Sequence, residues 1–173
     1  MLDAALGRAA SGARLVVVSG EPGVGKSALL DSWAAAAAGR GAVVLRGRAE
    51  EGELALQPVL DALAGRLAQV VPADWAVVGG LPGPGATAAA LSLRVFTHLD
   101  DAVRSLPAGA GTALLIDDAD GADAVTWAWL AHLRRRRDPP LLVVVALRDP
   151  TAAGAEPDSS IVLAPLDLSL IHI

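Results

Sequence analysis

The segment Gly20-Glu21-Pro22-Gly23-Val24-Gly25-Lys26-Ser27 fills the pattern G-x-x-x-x-G-K-[ST] without a gap. Each residue type has a chemical reason to be there. Glycines remove the Cβ atoms that would keep phosphate oxygens away from backbone N–H groups. A helix starting directly after the loop adds free N–H donors and the positive end of its dipole. The Lys26 ammonium then reaches the outer phosphates of a nucleotide, and the Ser27 hydroxyl ligates Mg²⁺. The expected nucleotide-binding set is Gly20, Glu21, Pro22, Gly23, Val24, Gly25, Lys26, Ser27 and Ala28. The chain has thirteen arginines and a single lysine, and that lysine stands in this pattern. An arginine fork and a compact ammonium are not interchangeable in a tight site. At this composition a chance match to the pattern is on the order of one in a thousand.

Two further positions have site chemistry. Asp117 follows the apolar run Thr112 to Ile116, where a strand-end carboxylate supports a nucleotide-bound Mg²⁺. Asp118, next to it, is the candidate general base for an attacking water. Adjacent strand residues point opposite ways, so a turn residue without catalytic duty is the alternative for Asp118. Arg148 follows the run Leu141 to Leu147 and offers a fixed fork of donors for sensing phosphate. Its alternative is a surface pair with Asp149.

The elements that must hold these residues follow from pattern. Ala13 to Ser19, Ala42 to Arg46, Thr112 to Ile116, Leu141 to Leu147 and the weaker Ser160 to Ala164 read as strands. Ser27 to Ala38, Pro58 to Val70, Thr87 to Leu106 and Asp123 to Arg135 read as helices, with Asp123 as an N-cap. Glu50 to Leu56 reads as a solvated loop and Val71 to Ala86 as an irregular connection rich in Gly and Pro. Strands alternating with helices predict an α/β fold with a mostly parallel sheet. Leu141 to Leu147 is expected between the strand that ends at the Gly-rich loop and the strand that ends at Asp117.

Composition narrows the classes. The chain has 173 residues, 53% hydrophobic but only 3% aromatic, with a net charge of −5. One domain with an Ala/Leu/Val core fits that length. A mildly acidic chain is a poor match for a nucleic-acid coat, so direct nucleic-acid binding is not expected. The absence of cysteine excludes disulfides and thiolate metal sites. Apolar runs fall well short of the ~20 residues that span a bilayer. A cytoplasmic protein without membrane contact is the expectation.

Four segments together resemble the AAA-type ATPase module of large LuxR-type bacterial transcriptional regulators, within the STAND group of signalling NTPases. They are GEPGVGKSALL from Gly20, RGRAEEGELALQPVLDAL from Arg46, LLIDDADGADAVTWAWLAHLRRR from Leu114 and LLVVVALRD from Leu141. The similarity covers most of Leu15 to Leu166. It implies a P-loop NTPase with a RecA/AAA-like core whose helical lid is missing. It also implies ATP or ADP and Mg²⁺ as cofactors. Lys26 and Ser27 would sit on phosphate and metal, Asp117 on the metal, Asp118 as base and Arg148 as the basic residue after the fourth strand. Lid, sensor and DNA-binding domains would be partners in a longer protein, with nucleotide-dependent self-association possible.

On this reading residues 1–167 form the ATPase core. Leu168 to Ile173 (LSLIHI) matches the in-frame translation of a common sequencing adapter and is expected to be a non-native tail; the alternative is a native strand of alternating Leu and Ile. Arg134 to Arg137 is expected to be a solvated helix end. His98 and His132 lack metal-ligand spacing. Trp127 and Trp129, two apart on a helix, cannot share a face, so one is assigned to the core and the other to a missing domain. The expected function is an ATP-dependent switch with slow hydrolysis. The alternatives are a P-loop small-molecule kinase and a nucleotide-binding interaction module that does not hydrolyse.

Overall fold

The computed structural model of the chain describes residues 1–50, 55–67, 88–107 and 109–165. The expected irregular connection 71–86 and the tail 168–173 lie outside them. So do Glu51, Glu53 and the last residues of the expected helix 58–70.

Five strands form one sheet: β1 (Arg14–Ser19), β2 (Val43–Arg48), β3 (Thr112–Asp117), β4 (Leu142–Leu147) and β5 (Ser159–Val162). Their order is β2-β3-β4-β1-β5, and each neighbouring pair is parallel. The expected middle place of the 141–147 strand is therefore observed. β2 runs two residues beyond the expected strand, because its ladder with β3 continues to Arg48 opposite Asp117.

All-parallel strands are covered on both faces, and period-two alternation sorts their side chains between two cores. Leu15, Val17, Leu114, Ile116, Val143 and Val145 face one core, completed by α3 (Gln57–Leu67), α4 (Ala88–Arg104) and α5 (Ala124–Arg136). Val16, Val18, Ala113, Leu115, Val144 and Ala146 face the other, under α1 (Leu2–Ala9) and α2 (Lys26–Gly39). Helix α1 has no counterpart among the sequence expectations. Its signal was present in the buried Leu2, Ala5, Leu6 and Ala9, which recur at helical spacing. Asp3 ties it to α2, accepting from Trp33 Nε1 at 2.7 Å and from Arg40 at 2.6 Å.

Both tryptophans of α5 are buried, which corrects the assignment of one to a missing domain. The helix is covered on two sides. Trp127 lies against Gly154, where an added Cβ would stand 2.5 Å from the indole. Trp129 donates Nε1–H to Asp100 of α4 at 3.1 Å, and His132 Nε2 lies 3.1 Å from the other oxygen of that carboxylate. Burial pushes the Asp100 carboxyl up, against the downward pull of its contacts with His132 and Trp129. His132 thus packs between helices. Arg135, Arg136 and Arg137 are exposed, as expected of a solvated helix end.

Asp123 caps α5 as its sequence position predicts, accepting from the N–H groups of Val125 at 2.8 Å and Thr126 at 3.0 Å. Its second oxygen takes the Leu56 N–H at 3.0 Å, which fastens the approach to α3. Burial pushes the Asp123 carboxyl up. The Thr126 hydroxyl and the three backbone donors outweigh it, and the net direction is down. A carboxyl depressed by folding contributes stability above its unfolded pKa of about 3.9, and loses it as pH falls through the folded value. Asp123→Ala is expected to lower the unfolding free energy by about 1–2 kcal/mol at neutral pH in urea titration. The gap between variant and parent should narrow below about pH 4.

Candidate functional site

The site is built where β1, β3 and β4 end and α2 begins. β1 stops at Ser19, and the chain turns through 20–25 before α2 opens at Lys26. Gly23 and Gly25 adopt φ of 80° and 103°, conformations that L side chains rarely take. At Gly20 the constraint is space, since a Cβ would stand 2.6 Å from the Leu163 carbonyl oxygen. The N–H groups of Lys26, Ser27 and Ala28 belong to the first turn of α2 and so have no intrahelical acceptor.

Lys26 is buried, at 8% exposure. Its Nζ donates to the carbonyl oxygens of Gly20 at 2.6 Å and Glu21 at 3.0 Å. Among the described residues no carboxylate pairs with it. The ammonium also sits at the positive end of the α2 dipole, where a cation is disfavoured. A buried cation, a helix N-terminus and free amides together call for an anion from outside the chain. A phosphate group fits that demand.

The structure brings Ser27 and Asp117 to one cleft of about 480 Å³, also lined by Asp31, Arg46, Gly47, Arg48 and Asp61. A hydroxyl and a carboxylate on one cleft wall are hard oxygen ligands of the kind Mg²⁺ takes. Gly47 keeps this cleft in register. An added Cβ would lie 2.0 Å from the Pro58 carbonyl oxygen, so α3 closes directly on β2 there.

Asp118 goes elsewhere. It takes a left-handed conformation (φ 49°) that turns the chain into the 3₁₀ turn Ala119–Gly121. Its carboxylate pairs with Arg48 at 2.6 Å and lines a second cleft of about 310 Å³ with Glu50, Asp120 and Arg148. The two adjacent aspartates therefore line adjoining clefts that share Arg48 and Glu50. Arg148 follows β4, with its backbone N–H donated to both oxygens of Asp120 at 3.1 and 2.9 Å. Asp149, the surface partner considered for Arg148, instead accepts from the Thr151 N–H and hydroxyl at 2.8 and 2.7 Å.

The sequence profile of the AAA ATPase domain matches residues 1–145. The chain belongs to the AAA ATPase domain family. No curated protein matches it. A chain in the structure of Drosophila ORC bound to DNA is similar, with a TM-score of 0.54 and 12% identity over 99% of this chain and 91% of that one. A chain of Drosophila ORC bound to GC-rich DNA and Cdc6 matches with a TM-score of 0.50 and 12% identity, over 99% of this chain and 61% of that one. In the structure of Drosophila ORC bound to AT-rich DNA and Cdc6, the matched chain is only 42% covered. At such identities the likeness is one of fold. Among the described residues of this AAA domain, no helix is long and apolar enough to cross a membrane.

Sequence reasoning missed Arg48, Gly47 and Asp120. Arg48 lies past the expected end of β2, and Asp120 lies in a turn whose direction depends on the backbone at Asp118. Gly47 sits between two arginines, and nothing local announces that a helix touches its Cα. Gly47→Ala is expected to destabilise the AAA domain by about 1–3 kcal/mol, because the obstacle is backbone and not a movable side chain. Thermal and urea unfolding of the variant against the parent measure this.

Proposed function

We propose that this AAA domain binds ATP and ADP with Mg²⁺ and hydrolyses ATP slowly. The observation that carries the reading is the buried Lys26 ammonium, whose partners among the described residues are two carbonyl oxygens of its own loop. In this proposal the backbone of Gly20 to Ala28 cradles the phosphates, with Glu21, Pro22 and Val24 shaping the loop between the glycines. Lys26 moves from its two carbonyl oxygens onto the outer phosphates. Ser27 and Asp117, which share a cleft, hold the metal. Bound Mg²⁺ neutralises phosphate charge and polarises the terminal group. Arg148 contacts the terminal phosphate from the end of β4.

Asp118 is the proposed base that accepts the proton of the attacking water. Its ion pair with Arg48 supports slow turnover, because a paired carboxylate must first be released. The four-segment resemblance in the sequence supports a place in a large LuxR-type regulator of the STAND group, where nucleotide occupancy acts as a switch. Lid, sensor and DNA-binding domains would then be supplied by a longer chain in the cytoplasm, with nucleotide-dependent self-association as a further step. The net charge of −5 disfavours a nucleic-acid duplex as the ligand of this domain.

Lys26→Ala is expected to weaken binding of a fluorescent ATP analogue by about 10- to 100-fold, and unchanged affinity would overturn the proposal. Asp118→Asn is expected to lower phosphate release about 100-fold while ATP affinity stays within about two-fold. No phosphate release from the parent chain would leave a nucleotide-binding module without hydrolysis.

A further inference from the structure

One peptide group connects the two halves of the site. The carbonyl oxygen of Leu147 accepts from the N–H of Gly20, the first residue of the phosphate loop, at 3.3 Å. The N–H of the same peptide unit, that of Arg148, points the other way and is held by both carboxylate oxygens of Asp120. The β3–β4 ladder supplies no partner there, since its last register pair is Ile116 with Val145. Asp120 reaches across because the left-handed backbone at Asp118 swings the 3₁₀ turn over the end of β4. The turn is closed by the Gly121 N–H on the Asp118 carbonyl at 3.0 Å. A negative acceptor strengthens the hydrogen bond it takes and polarises the amide beyond it. The Arg148 side chain is exposed, so the direction in which it leaves the strand depends on how its backbone is held.

We infer that Asp120 is a positioning residue: by gripping the Arg148 N–H it sets the peptide plane from which Arg148 reaches the terminal phosphate, and so gives the site its preference for ATP over ADP. The inference rests on the proposed roles of the phosphate loop and of Arg148. In this role Asp120 acts through Arg148, beside which it lines the cleft. Asparagine at this place keeps one acceptor oxygen but turns an NH₂ group toward the Arg148 N–H, whereas glutamate keeps the carboxylate.

The test is equilibrium binding of ATPγS and of ADP to the full chain, with Mg²⁺, for the parent, Asp120→Asn, Asp120→Glu, Arg148→Ala and the Asp120→Asn/Arg148→Ala double variant. The parent is expected to prefer ATPγS. Asp120→Asn should reduce that preference about three- to ten-fold while ADP affinity stays within about two-fold. Arg148→Ala should reduce it as much, the double variant no further, and Asp120→Glu should keep most of it. An unchanged preference in Asp120→Asn, effects that multiply in the double variant, or an equal loss of ADP affinity would each overturn the inference. A parent that binds both nucleotides equally would overturn it while leaving the phosphate-loop reading intact. A parent that binds neither would overturn that reading as well. Should Asp120→Asn unfold, Asp120→Ser, alone and with Arg148→Ala, takes its place in the same comparisons, with the same expected and overturning results.

Discussion

The arrangement of this domain depends on a positive charge that the chain buries and does not neutralise. Removing an ammonium from water is costly unless it is paired. Lys26 has two carbonyl oxygens from its own loop, a helix dipole of the wrong sign and no carboxylate partner among the described residues. Such a position is tolerable only inside a framework rigid enough to hold it. The framework is the parallel sheet, whose strands β1, β3 and β4 end side by side, with α2 packed through Leu30, Trp33, Ala34 and Ala37.

That framework is made of small aliphatic residues. With few aromatics, the two cores fill by alternation of Val, Leu, Ile and Ala along the strands; β1 to β4 each contribute to both, and β5 only to the core under α1 and α2, through Ile161. Alternation fixes which side chains face α2 and which face α5. It therefore also fixes where the strand ends deliver their polar residues. The side-chain ties are few and charged. Asp3 fastens α1 to α2, Asp123 fastens α5 and the start of α3, and Asp120 fastens the end of β4. Each is a carboxylate accepting from N–H groups, a stronger tie than a neutral hydrogen bond.

Neighbouring residues in the sequence have separate duties in space. Asp117 and Asp118 line adjoining clefts that share Arg48 and Glu50, and the backbone turns left-handed at Asp118 where the strand gives way to the 3₁₀ turn. Arg46 and Arg48 of β2 likewise pair with different acids, Asp31 on α2 and Asp118 after β3. The C-terminal end of the sheet is thus lined with ion pairs of moderate exposure, which rearrange at little cost.

The glycine turn between β1 and α2, the strand ending in Asp117 and the Asp123 cap were all legible in the chain. Each depends on interactions within a few residues: glycine conformations, alternation, an N-cap. The middle place of β4 was expected from the separation of the two motif strands, whereas the edge places of β2 and β5 came only from the assembled sheet. Helix α1 was legible too, in the spacing of Leu2, Ala5, Leu6 and Ala9, and was overlooked because it stands ahead of the first motif. Other features were decided only when distant segments met. The burial of both Trp127 and Trp129 needed α4 and the loop at Gly154, and the closeness of Gly47 to Pro58 needed α3 folded against β2. The contact of Asp120 with the Arg148 amide joins residues 28 apart in sequence. Local sequence sets which conformations and charges are available, whereas the partner each group finds depends on packing between segments that no local pattern encodes.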